Sequence, residues 1–175
     1  MKVKMFFVVL VAALTTLGFE CINENLLVSI DIEGITGTYN VNPGDGTFND
    51  CTTITSAQYL DPDYESIKDV RVYDIRVSTI GTYAATMSGS SRVTVNGVTI
   101  LTLVGGTQWG YFSTPRSILT DPQIVKNVPG IVTLVNAVKN KQNVIICGVG
   151  SISPAPVPSG LKLKIEVFGQ VDAEV

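Results

Sequence analysis

The sequence predicts an all-β protein: an antiparallel two-sheet sandwich, immunoglobulin-like or jelly-roll, with one short helix. Three observations carry this. From Leu161 to Val175 the chain alternates apolar residues (Leu161, Leu163, Ile165, Val167, Val171, Ala173, Val175) with polar ones (Lys162, Lys164, Glu166, Gln170, Asp172, Glu174), and a period of two sets one face on a core and the other in water. Asn96-Gly97 stands between Val93-Thr94-Val95 and Val98-Thr99-Ile100, the strongest short hairpin signal, because both central residues of a type I′ turn need positive φ. The remaining apolar runs are short and separated by turn residues, with no long-period repeat, charge block or low-complexity tract, which fits a sandwich and not a solenoid or propeller.

At the N-terminus, Met1-Lys2-Val3-Lys4 precedes an apolar run from Met5 to Leu14 and then Thr15-Thr16-Leu17-Gly18. A basic start, an apolar stretch of about ten residues and small residues after it are the plan of a secretory signal peptide, too short to span a bilayer. Residues 1–20 are read as that signal and 21–175 as a single β-sandwich domain, exported to the periplasm, cell surface or extracellular space. Cleavage is expected after Gly18, with Thr16 and Gly18 as the small residues. A rival reading makes Cys21 the acylated cysteine of a bacterial lipoprotein, against which Glu20 stands where a small residue is usual; the membrane enters only through such an anchor.

Val28, Ile30 and Ile32 share a parity that switches after Gly34 to Ile35, Tyr39 and Val41, predicting a bulge or bend at Gly34. Asn42 to Asp50 is a turn-rich loop with oxygen-bearing side chains. A calcium loop of the usual spacing needs a Glu twelve positions from the first ligand; counting from Asp45 gives Ser56, so a solvated turn is the better reading. Asp61, Asp63 and Glu65 surround Pro62 in a second acidic loop. Paired carboxylates can hydrolyse glycosides when they converge across a sugar, but nothing in this spacing makes them converge. In the run from Asp69 to Val77 the parity slips again, Val70 and Val72 against Tyr73, Ile75 and Val77; a bulge near Tyr73 brings both sets inward.

Strands are further expected over 81–88 and 143–153. Between them, Ile131, Leu134, Val135 and Val138 follow Pro129-Gly130 at helical spacing, with Lys139 and Lys141 at the end the helix dipole favours. A helix of about ten residues is expected to plug one edge or end of the sheets. Pro154, Pro156 and Pro158 stiffen the loop before the last strand. In that strand Phe168 falls on the polar face and Gly169 on the apolar one, marking a bulge or close backbone crossing.

Composition narrows the chemistry. The 175 residues contain no histidine, which removes Ser-His-Asp and Cys-His nucleophile systems and the HExxH zinc helix. Three cysteines are too few for a thiolate zinc site, which takes about four ligands. No glycine-rich loop is followed by Lys-Ser/Thr. No catalytic residue, metal site or cofactor is expected. Of the 12 Lys+Arg, Lys2 and Lys4 leave with a signal peptide, so 10 basic face 15 acidic residues, a formal −5. Such a surface repels phosphate backbones, and nucleic acid is not an expected partner.

Cys51 and Cys147 are the expected disulfide, given an oxidising compartment and Cys21 set aside. Trp109, Tyr111 and Phe112 cluster in a way that could grip a glycan ring, although aromatics of small domains more often fill the core. Phe168 is a candidate interface residue: if the last strand is an edge, antiparallel copies could pair through it, Lys162 or Lys164 meeting Asp172 or Glu174; if it is central, its polar face is solvated. The function expected is an exported non-catalytic module acting by contact, structural or adhesive, with itself or another envelope protein as partner. A glycan-binding module using the Trp109 platform is the alternative.

Overall fold

The structure, a computed structural model, describes residues 27–32, 34–61 and 63–174. Residues 1–26, on which the expected signal segment and the acylation reading of Cys21 fall, lie outside the described residues, as do Glu33, Pro62 and Val175. Ten strands form two antiparallel sheets: β1 Leu27–Ile32, β2 Thr36–Asn40, β3 Thr47–Ile54, β4 Ser66–Ile80, β5 Ser88–Val95, β6 Val98–Gln108, β7 Arg116–Ser117, β8 Ile124–Lys126, β9 Val144–Ser153 and β10 Lys162–Glu174, with one helix, α1, over Val128–Lys139. Sheet A runs β1-β10-β4-β7, with β2 also on β10; sheet B runs β3-β9-β5-β6-β8.

That order follows from rolling up one long hairpin. β5 and β6 form its tip, and the chain pairs back along itself: β4 with β7, β3 with β9, and β1 and β2 with β10. Rolling then brings β10 onto β4 and β9 onto β5. Of the two sandwich types the sequence allowed, this is the jelly roll.

Local expectations resolve strand by strand. Asn96 (φ 47°) and Gly97 (φ 83°) make the β5–β6 turn. Gly34 (φ 91°) bends the chain so that β1 and β2 occupy successive stretches of the same edge of β10. On β10 every second residue is buried, and its register on β4 shifts between Phe168 and Gly169, which pair with Asp74 and Val72. Tyr73 is the extra residue, so Val70, Ile75 and Val77 all reach the core while Tyr73 itself is turned out, 52% exposed. A Cβ on Gly169 would stand 2.7 Å from the Arg71 carbonyl, the close crossing its position implied.

One expectation is corrected. Residues 81–87 form a loop, because Gly81 takes φ 110° and Met87 N–H turns back to the Ala84 carbonyl; the strand begins at Ser88. Of the two alternatives for the last strand, the central one holds: β10 is bonded on both sides, to β1 and β2 and to β4, so it offers no free edge for a second copy through Phe168.

The helix is as placed, slightly longer than expected. It buries Gly130, Leu134, Ala137 and Val138 and packs on β4, β5 and β6, closing one end of the sandwich. Gly130 is required there: a Cβ would lie 2.1 Å from the Thr99 carbonyl.

Candidate functional site

The aromatic cluster does not form a platform. Trp109 and Phe112, in the turn after β6, are each 1% exposed, and Trp109 packs edge-on against Phe48 with ring centroids 6.2 Å apart. A ring without an open face cannot stack on a pyranose, so these two are core residues; the indole Nε1–H finds no acceptor among the described residues. Tyr111 alone stays partly open. Its ring carries the Arg116 guanidinium at 4.3 Å, and its hydroxyl donates to Asp121 Oδ2 at 2.8 Å, a bond to the protonated phenol that raises its pKa.

The acidic stretch at Asp61 and Asp63 stays a loop, but of the loop expected from Asn42 to Asp50 only 42–46 is one, because Thr47–Ile54 forms β3 and carries Asn49 and Asp50. Asp45 Oδ1 accepts from the Thr47 N–H (2.9 Å) and hydroxyl (2.8 Å), which lowers its pKa, and that turn needs no ion. Asp61 Oδ1 caps the Asp63 N–H at 3.0 Å, and both side chains are exposed. Asp61 borders an open groove of about 640 Å³ with Asp31, Tyr59 and Tyr64; Asp63 is not part of its lining. Among the described residues no group of three or more carboxylates and thiols is placed to hold a metal.

Cys51 and Cys147 are bonded. They are direct register partners of β3 and β9, with Cα atoms 4.0 Å apart and a sequence separation of 96. Outward parity on β3 belongs to Thr47, Asn49, Cys51 and Thr53, and on β9 to Ile145, Cys147, Val149, Ser151 and Ser153. The disulfide therefore lies on the outer face of sheet B.

Continuing across that sheet, the register adds Ser90, Arg92 and Thr94 on β5, Thr102 and Val104 on β6 and Val125 on β8. Arg92 is the one charged side chain among these outward positions, and it has no ion pair or hydrogen bond among the described residues. Ile145, Val104 and Val125 are exposed apolar groups on the same face. The arrangement offers methyl and hydroxyl groups, a stapled strand pair and one lone cation.

The outer face of sheet A is built oppositely. Glu174 takes Lys68 at 2.7 Å and Ser66 at 2.5 Å; Asp172 takes Ser29 and Arg71, each at 2.5 Å; Asp74 takes Arg76 at 2.7 Å and Ser117 at 2.6 Å; Glu166 takes Lys164 at 2.6 Å. The Ser29 bond first, and Arg71 with it, holds the Asp172 carboxyl below the usual range. Phe168 is half-buried in this ladder, with the Arg76 guanidinium 4.6 Å over its ring. It stands between Glu166 and Gln170 on that face, and a cation already covers it.

The charge-poor sheet B face was missed in the sequence; its signal exists only once β3, β9, β5 and β6 are laid side by side. No family model and no curated protein matches the sequence. Two solved structures overlap it: a chain from Desmodium yellow mottle tymovirus at 12% identity, spanning 86% of this chain and 90% of that one with TM-score 0.36, and one from an acidic stable capsid structure of Helicobacter pylori bacteriophage KHP30 at 10% identity, spanning 81% and 92% with TM-score 0.33. Both overlaps are loose.

Proposed function

We propose that the protein is an exported, non-catalytic structural module that works by contact, and that the outer face of sheet B is its contact surface, with a second copy of the chain as the occupant. The observation that supports this is the near-absence of charge there, around a single unpartnered Arg92, beside a sheet A face dense in paired ions. Interface centres are depleted in charge, whereas surfaces left in water carry it.

The dimensions allow a weak self-contact. The three strands β3, β9 and β5, about eight residues long, cover ~400 Å² per copy at the usual strand spacing and rise. Two copies then bury ~800 Å² in total, below the ~1,000 Å² of a stable specific interface, so association is expected to be weak, transient and concentration-dependent. A twofold axis along β9 exchanges β5 with β3, which sets Arg92 of one copy over Asn49 of the other. The Asn49 amide carbonyl can accept from a guanidinium, so the lone cation gains a partner in the pair.

Light scattering across protein concentration tests the reading. Wild type is expected to associate at high concentration, and Val149→Lys, which sets a charge beside the disulfide, to remain monomeric. A wild-type monomer throughout overturns self-contact.

A further inference from the structure

At the β7 edge of sheet A two arginines lie over aromatic rings, Arg116 over Tyr111 at 4.3 Å and Arg76 over Phe168 at 4.6 Å. Each commits its Nε–H inward: Arg76 to Asp74 Oδ2 at 2.7 Å, Arg116 to the Tyr111 carbonyl at 3.3 Å. The terminal nitrogens of both forks have no partner among the described residues. Both side chains line one open groove of about 500 Å³, together with Asp74, Ser117, Asp121 and Pro122.

The two carboxylates of the groove are fixed by protein donors. Asp74 accepts from Arg76 and from the Ser117 hydroxyl, and Asp121 accepts from the Tyr111 hydroxyl and from the Gln123 N–H at 2.9 Å. Each carboxylate oxygen still has a lone pair for an incoming hydroxyl. The lining charges cancel, so a bare anion gains little. Sulfate or phosphate esters meet two carboxylates, a neutral sugar leaves both forks empty, and an acidic peptide brings no array of hydroxyls. A ligand carrying one planar anion among several hydroxyls satisfies the whole set, with Pro122 as a flat wall for ring C–H groups.

We propose that this groove binds a hexuronic-acid unit of an acidic polysaccharide, its carboxylate on the open ends of Arg76 and Arg116 and its hydroxyls on Asp74 and Asp121. Planar forks pre-oriented on rings suit a carboxylate better than a mobile ammonium does. The site lies on the sheet opposite the contact face and stands or falls independently of it.

The test is titration of the full chain, labelled with ¹⁵N-arginine, with D-glucuronate, following the Nε–H signals of Arg76 and Arg116. Both signals are expected to shift saturably, with D-glucose and N-acetylglutamate each binding at least tenfold more weakly. Arg116→Lys, which keeps the charge and loses the fork, is expected to weaken glucuronate at least tenfold; Arg76→Lys serves if circular dichroism shows the first variant unfolded. Val149→Lys is expected to bind as wild type. Silence with glucuronate, equal binding of acetate or sulfate, equal binding of N-acetylglutamate, or an unchanged Arg116→Lys in folded protein each overturns the proposal.

Discussion

The two outer faces of this sandwich are made by the same rule and finished differently. Both sheets send alternate residues inward, and the inward sets meet in one core that includes Val93, Leu101 and Ile146 from sheet B and Ile75, Leu163 and Val171 from sheet A. Outward, sheet A carries a ladder of Asp, Glu, Lys and Arg that pair with one another, while sheet B carries Thr, Ser, Val, Ile, Asn49, a disulfide and the single charge of Arg92. Core burial constrains only one parity of a strand, so the other is free to record what each face meets. On the function proposed above, sheet B is the face that a second copy covers part of the time, and sheet A stays in water outside the groove at its β7 edge.

The largest expected effect comes from the staple. The Cys51–Cys147 bond closes a 96-residue separation, and for a loop of that length chain entropy assigns about 4–5 kcal/mol. Reduction, or the double change Cys51→Ser with Cys147→Ser, is expected to lower the denaturation midpoint accordingly. Hydrogen exchange should place the first loss in β3, which pairs only with β9, and leave the β10–β4 pair protected. Equal loss in both sheets would erase the distinction drawn between them.

Next come the glycines that let each central strand pass close to a neighbour. A Cβ on Gly148 in β9 would stand 2.6 Å from the Tyr39 ring, and one on Gly169 in β10 2.7 Å from the Arg71 carbonyl. Tyr39 is itself pinned by its hydroxyl bond to the Ile146 carbonyl at 3.0 Å; burial raises its pKa, with the Asp50 charge adding to that. Overpacking costs about 2 kcal/mol in such places. Gly148→Ala and Gly169→Ala are both expected to lower stability by that order in urea melts.

Much of this was legible beforehand. The β10 alternation, the Asn96-Gly97 turn, the helix after Pro129, the Gly34 bend and the Tyr73 bulge are local patterns, and local patterns survive in a single sequence. Strand order was not legible, because it rests on partners such as Leu27 and Glu174, which meet across nearly the whole chain. The run from Gly81 to Met87 alternates as a strand would, yet a positive φ at Gly81 makes it a loop. For the aromatics, spacing showed a cluster but not its side: the turn after β6 drives Trp109 and Phe112 inward and leaves Tyr111 at the rim. Arg76 and Arg116 share a groove only because β7 pairs with β4.

A smaller effect separates the faces by pH. The Asp172 carboxyl on sheet A is held below its usual pKa, so its contribution is present above the unfolded value near pH 4 and is lost as pH falls through the folded one. No outward position named on sheet B carries an acid. Thermal melts between pH 2 and 6 should show the slope of wild type below about pH 4 flattened in Asp172→Asn. A variant with an unchanged slope would remove the Ser29–Asp172–Arg71 cluster from the account.

The most direct measurement of the central claim is intermolecular cross-saturation between methyl-labelled and unlabelled copies of the chain at high concentration. Transfer is expected to the methyls of Ile145 and Val149 on β9, and none to Leu27 on the edge of sheet A. Transfer confined to Leu27, or to no methyl at all, would contradict a contact face on sheet B.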